Sequence, residues 1–156
     1  MEGIKAKVIN RQMLTEHVME FTIEINQEVK VIPGQWALFL FEDEQGSFQR
    51  SYFIVNQDIN NEKTILIFAI KLSDHGRGST IIRKTGIGSE VIIKGIFGNF
   101  IVQHTQLPKV FVGMGIGIVP LINMAKHCMT YKQLFFSVSY KKDLFYEDKI
   151  KKIPGL

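Results

Sequence analysis

One cysteine, Cys128, in 156 residues has no partner within the chain. That excludes an internal disulfide framework, a four-thiolate zinc site and an iron–sulfur cluster ligated from this chain alone. Cys128 falls on a predicted helix and reads as packed rather than reactive. Long apolar runs are missing too: none reaches the roughly 18–20 residues of a membrane helix, so no membrane span is expected. The four histidines, His17, His75, His104 and His127, show no metal-ligand spacing, so no metal is expected. No Ser/His/Asp set and no carboxylate pair suggests hydrolysis, and the sequence assigns no catalytic residue. Met1-Glu2-Gly3-Ile4-Lys5 lacks the basic-then-apolar pattern of a secretory leader, and a cytoplasmic location is the default expectation.

What is present is ordinary for a globular chain: 46% apolar residues, too many for disorder. The net charge of +4 is uneven. Residues 1–105 hold eleven Lys and Arg against twelve Asp and Glu, whereas residues 106–156 hold eight against three. The basic end is either a solvated surface or an attraction for a phosphate-bearing ligand. Nucleic acid is not expected, because the basic residues are not interleaved with aromatics in a recognisable module.

The first hundred residues read as strands. Ile4–Ile9 alternates apolar and polar, and Val18–Ile25 does so less cleanly. Pro33-Gly34-Gln35-Trp36 signals a turn before Ala37–Phe41. Glu42–Gly46 links that run to a strand over Arg50–Val55, read as a hairpin with a longer loop. Asn56–Asn61 is another turn cluster, followed by strands at Lys63–Leu72 and Glu90–Ile96. Six short strands separated by turns imply a closed or nearly closed antiparallel barrel. One helix interrupts them after Gly76-Arg77-Gly78-Ser79-Thr80, with Ser79 expected as its cap, Ile81 and Ile82 facing inward and Gly86 ending it. Its free N–H groups and positive dipole end make a generic anion site, and the glycines let a ligand approach the backbone.

After Leu107-Pro108 the pattern changes. Lys109–Val112 is a short run without alternation, as in a buried parallel strand. It enters Gly115-Ile116-Gly117-Ile118-Val119-Pro120, followed by a helix over about Leu121–Met129 and a second run at Gln133–Val138. Asp143 is read as the N-cap of a last helix over Leu144–Lys152, stopped by Pro154-Gly155. The expected architecture is a six-stranded antiparallel barrel over residues 1–106, then an incomplete parallel βαβα unit over 107–156 with a right-handed crossover. About fifty residues bury too little surface to stand alone. This unit should lean on the barrel, pair with another copy, or belong to a longer chain. A missing C-terminal segment or homo-oligomer is the favoured expectation.

Five stretches, in order, resemble the ferredoxin–NADP reductase superfamily, flavin reductases built from a flavin barrel and a nicotinamide-nucleotide domain. They are Pro33-Gly34-Gln35-Trp36; Arg50-Ser51-Tyr52-Phe53 against Arg-x-Tyr-Ser/Thr; Gly78-Ser79-Thr80 opening a helix; Gly95-Ile96-Phe97-Gly98-Asn99-Phe100 against Gly-Pro-x-Gly-x-Phe; and Gly115–Pro120 against Gly-Thr-Gly-Ile-Ala-Pro. The resemblance implies FAD, favoured over FMN because a helix-end site suits a pyrophosphate, with NAD(P)H as substrate and a redox protein as a candidate acceptor. It implies that Arg50 pairs with a flavin phosphate and that Tyr52 packs on the isoalloxazine or bonds the ribityl chain. Gly76, Gly78, Ser79 and Thr80 would hold the pyrophosphate. The backbone of Ile70, Lys71 and Leu72 would touch the flavin's tail, and Gly115, Gly117 and Pro120 would receive the dinucleotide. Lys141 and Lys142 fall where an adenosine 2′-phosphate would lie. Two departures bear on hydride transfer: Phe53 stands where the family has a hydroxyl beside flavin N5, and Ile116 replaces a threonine. The family's later strands have no counterpart after Leu156. A flavin-binding subunit or remnant without nicotinamide-dependent activity is the alternative reading.

Overall fold

The computed structural model describes residues 3–156; Met1 and Glu2 lie outside the described residues. Six strands close a barrel: β1 (Ile4–Met13), β2 (Val18–Ile25), β3 (Trp36–Asp43), β4 (Gly46–Asn60), β5 (Lys63–Lys71) and β6 (Glu90–Phe97). Their order around the barrel is β1-β2-β5-β4-β3-β6, every pair antiparallel. Inward positions alternate as a pleat requires, and Phe21, Ile23, Phe39, Ile54, Leu66, Phe68 and Ile93 fill the interior with no exposure. Helix α1 (Arg77–Lys84) plugs one end, with Ile82 buried in the same core and Ile81 packed against it.

The chain continues as β7 (Lys109–Met114), a 3-10 turn at Gly115–Gly117, α2 (Ile118–His127), β8 (Lys132–Ser137) and a short α3 (Glu147–Lys151). β7 and β8 pair in parallel, Lys109 opposite Lys132 through Met114 opposite Ser137. This part does lean on the barrel. Val18, Val55 and Ala69, on the barrel's outer wall, share one core with Ile118, Val119, Leu121, Ile122 and Phe145. Polar ties reinforce it: Asn123 Nδ2 donates to Ile54 O (3.3 Å), Lys126 Nζ to Asn56 Oδ1 (2.9 Å), and Tyr146 Oη and Lys149 Nζ both to the buried Glu20 carboxylate (2.5 and 2.7 Å). This explains why β2 lacks a clean alternation. Its inner face fills the barrel while Val18 and Glu20 are covered from outside. The far face of β7–β8 carries Val110, Val112, Met114 and Phe135, all more than half exposed.

Four local expectations are corrected. The β3–β4 connection is a tight turn at Glu44-Gln45, with Asp43 opposite Gly46 and the Gln45 N–H bonded to Asp43 Oδ1. β4 runs on through Asn60, past the predicted turn cluster, because Asn56–Asn60 keeps pairing with β5; only Asn61 and Glu62, both at positive φ, make the turn. α2 begins at Ile118 and ends at His127, because Pro120 in the first turn needs no donor. Asp143 caps nothing: it closes a 3-10 turn, Leu144-Phe145-Tyr146 leaves the helix to bury two aromatic rings, and α3 starts after Tyr146 in the left-handed region.

Candidate functional site

Alternation along β4 puts Arg50, Tyr52 and Ile54 on one face and Ser51, Phe53 and Val55 on the other. Ile54 belongs to the barrel interior and Val55 to the second core, which fixes the sense of each face. Tyr52, half-buried at the barrel end, meets Phe39 edge-on with centroids 5.3 Å apart. Burial pushes its phenol up to about 12, with the charge of Arg50 opposing. Tyr52 is therefore a neutral wall and hydrogen-bond donor, not an acid or base at neutral pH. Arg50 is exposed and donates to its neighbour's carbonyl, Gln49 O, at 2.7 Å.

α1 arrives at this face. A Cβ added at Gly78 would fall 2.9 Å from Tyr52 Oη and 3.1 Å from Arg50 Cγ, so only glycine fits there without displacing one of them. Arg50, Tyr52 and Gly78 thus lie against one another where β4 meets the start of α1. Ser79 does not cap the helix. Gly76 is the N-cap residue and no side chain supplies a cap bond. Ser79 lies inside the first turn, buried, and its Oγ accepts the Ser73 N–H at 2.9 Å, fastening the helix start to the loop after β5. The helix end thus offers the amides of Arg77, Gly78 and Ser79, which precede the first intrahelical bond, Thr80 N–H to Gly76 O, and have no intrahelical acceptor. Thr80 is exposed and its hydroxyl donates to Gly76 O.

The remaining predicted residues divide. Ile70 and Leu72 are buried to within 2% exposure, so only their backbone could meet a ligand. Lys71 lines a cleft of about 310 Å³ with Gly115, Ile116, His17, Ser139 and Asp143. That cleft opens at the carboxyl ends of β7 and β8, where open α/β sheets receive ligands. A Cβ on Gly115 or Gly117 would meet nothing within 4 Å, so the space above the turn is free. Pro120 is buried in α2 and shapes the turn from behind. Asn123 bonds Ile54 and Lys126 bonds Asn56, so α2 runs alongside β4 in the same sense, with its N-terminal turn toward Tyr52 and Phe53. Lys142 pairs with Glu16 at 3.2 Å. A second cavity, of about 320 Å³, lies by the other end of α2 near His104, His127 and Cys128 and contains none of the predicted residues. Among the described residues no group of three His, Cys, Asp or Glu could hold a metal ion.

Two of the quoted stretches prove architectural. A Cβ at Gly34 would collide with Phe100 O; Gln35 Nε2 donates to Gly98 O, and the Trp36 and Phe97 rings lie 5.2 Å apart. Pro33–Trp36 and Gly95–Phe100 close the barrel on each other.

The family profile for the oxidoreductase FAD-binding domain matches residues 5–101. The chain belongs to the oxidoreductase FAD-binding domain family. It is 30% identical over 147 residues to the electron transfer subunit of dihydroorotate dehydrogenase B (NAD(+)) from Caldanaerobacter subterraneus subsp. tengcongensis, covering 94% of this chain and 56% of that protein. It is 25% identical to one subunit of the Na(+)-translocating NADH-quinone reductase of Colwellia maris, covering 85% and 48%. The chain thus spans about half the length of these relatives. Its fold matches the flavohem-like FAD/NAD binding domain of nitric oxide dioxygenase from Vibrio cholerae O1 biovar El Tor with a TM-score of 0.84 at 17% identity, over 98% of this chain and 70% of that one. It also matches ferredoxin-NADP+ reductase from Plasmodium falciparum in complex with 2′P-AMP, with a TM-score of 0.80 at 20% identity, over 96% and 68%.

Sequence reasoning passed over Asp43, Phe48 and Arg77. Arg77 sits inside the glycine-rich turn, but its fork is turned to Asp43, 34 residues earlier, and its guanidinium carbon lies 4.0 Å from the Phe48 ring centroid. No local pattern signals that pairing.

Proposed function

We propose that this chain holds FAD in the Arg50–Tyr52–Gly78 cleft and, with NAD(P)H entering at Gly115–Gly117, passes electrons to a protein acceptor. The observation that carries the reading is the junction of β4 and α1. There a guanidinium, a neutral phenol and three helix-end amides without intrahelical acceptors converge, brought close by a glycine whose missing side chain lets α1 approach Tyr52 and Arg50. That set suits a phosphate-bearing cofactor with a flat ring: amides and Arg50 for the diphosphate arm, Tyr52 for the ring or ribityl chain. FAD supplies the redox chemistry when bound, and the chain's own part is placement and electrostatics. The residues divide into a flavin part at 1–106 and a nucleotide part at 107–156. FAD is preferred to FMN because the helix end offers several adjacent amides for two linked phosphates.

The test is spectral. Purified chain mixed with FAD should show bound-flavin absorbance, and rapid mixing with NADH or NADPH should bleach it. Protein that takes up no flavin would end the reading. One observation favours the narrower alternative, a flavin-binding subunit without nicotinamide-dependent activity: Phe53, not a hydroxyl, follows Tyr52, and it sits on the opposite face of β4 from Arg50. Flavin uptake without bleaching by either nucleotide would establish that alternative.

A further inference from the structure

The two halves of the cleft come from separate elements, the β3–β4 hairpin and the start of α1, and something must hold them in register. Arg77, the first residue of α1, does so from the helix side. Its Nε donates to Asp43 Oδ2 at 2.7 Å and its Nη2 to Asp43 Oδ1, a bidentate fork, and Nη2 also reaches Gly46 O at 3.0 Å. Its guanidinium lies over Phe48, and the same ring lies 5.0 Å from the guanidinium carbon of Arg50. Three residues of the hairpin, Asp43, Gly46 and Phe48, therefore grip one arginine, and that arginine neighbours Gly78. Asp43 is itself fixed by the turn, accepting the Gln45 N–H.

The charge arrangement separates two roles. Asp43 neutralises Arg77, whereas among the described residues no carboxylate pairs with Arg50. The cleft thus carries one guanidinium engaged in structure and one available to an anion.

We propose that Asp43, Phe48 and Arg77 form a clamp that positions the amides of α1 against Arg50 and Tyr52 for a diphosphate, with Arg77 acting as a positioning residue and not as a phosphate ligand. This rests on the flavin reading for the identity of the anion, but the clamp itself is a property of the flavin-free chain. The bidentate fork needs a planar guanidinium, which lysine lacks. The clamp couples cofactor affinity to a residue on the far side of the hairpin turn from the cleft.

The sign of one substitution decides between clamp and ligand. Asp43→Asn removes a negative charge. If Arg77 bound phosphate directly, the freed guanidinium would strengthen FAD binding. If Arg77 is a clamp, binding weakens, by about tenfold or more as expected for losing a charge-assisted pair. Asp43→Glu keeps a carboxylate and should restore most of the affinity; Arg77→Lys should not. Two measurements are needed: FAD affinity by flavin fluorescence, and hydrogen exchange of the peptide spanning residues 73–84 in the flavin-free protein. The expected result is faster exchange there in Asp43→Asn and Arg77→Lys, parent-like exchange in Asp43→Glu, and unchanged exchange in β1, β2 and β5. Tighter or equal FAD binding by Asp43→Asn, or parent-like exchange in that variant, overturns the clamp. Parent protein that takes up no FAD sinks the flavin reading, and the exchange data then judge the clamp alone.

Discussion

Gly78 shows how one missing side chain can define a site. Gly78→Ala would drive a methyl into Tyr52 Oη and Arg50 Cγ, and Tyr52 cannot retreat because Phe39 stands behind it. The expected outcome is loss of FAD uptake, measured by absorbance after gel filtration, with the barrel still folded by circular dichroism. Arg50→Ala should weaken FAD by about tenfold or more, the range for losing a hydrogen bond to a charged group. Its melting temperature should nearly hold, since among the described residues the exposed Arg50 guanidinium has its neighbour's carbonyl as hydrogen-bond acceptor and the Phe48 ring as a further contact. The tyrosines give a pH signature. Burial raises both Tyr52 and Tyr146, and for Tyr146 the bond to Glu20 adds to it. A phenol raised above its ordinary value of 10.0 contributes stability that is intact below pH 10 and declines as pH rises beyond it, because the unfolded chain then releases a proton that the folded one keeps. In an alkaline titration, the phenolate absorbance of these two should appear later than that of the exposed Tyr131 and Tyr140.

At the scale of elements, the joints that depend on a distant partner carry the most risk. Tyr146→Phe leaves Glu20 buried with Lys149 as its remaining partner, a loss of about 1–3 kcal/mol. The C-terminal segment should then be cut faster by proteases while the barrel resists, an outcome that gel electrophoresis of a timed digest would show. The clamp also has an acid limit. The hydrogen bond from Arg77 holds the Asp43 carboxyl below its ordinary 3.8, with burial opposing. A depressed carboxylate contributes above that ordinary value and is lost as pH falls through its folded value. The clamp is expected to persist through mild acid and open only below pH 3.8, read as exchange in residues 73–84. Much of this level is legible in the sequence. Phe21, Ile23 and Ile25 at spacing two declare β2, and Gly78 before an apolar turn declares a helix start. Ser79 is misread as the cap because a serine before Ile81 and Ile82 looks the same whether it caps its own helix or ties to Ser73. The Asp43–Arg77 pair is invisible because nothing local links residues 34 positions apart.

The whole molecule is two cores sharing a wall. Val18, Val55 and Ala69 face out of the barrel into the second core, so strands that would otherwise have one wet face are buried on both. The order of the elements, barrel then parallel pair, follows from the change of pattern at Leu107-Pro108. The docking does not, because it depends on which outer-wall residues are apolar and on Glu20, a charge that reads as solvent-facing until Tyr146 and Lys149 cover it. Trp36, the single tryptophan, stands at the start of β3 with its ring against Phe97 of β6. Three of the four tyrosines, Tyr131, Tyr140 and Tyr146, lie in the other part. Indole emission will therefore report the closure of the barrel at Trp36 and Phe97 and, by energy transfer, an arriving yellow chromophore. Comparing it with tyrosine emission during heating gives one sample two thermometers, one set at the barrel's seam and one weighted toward residues 131–146.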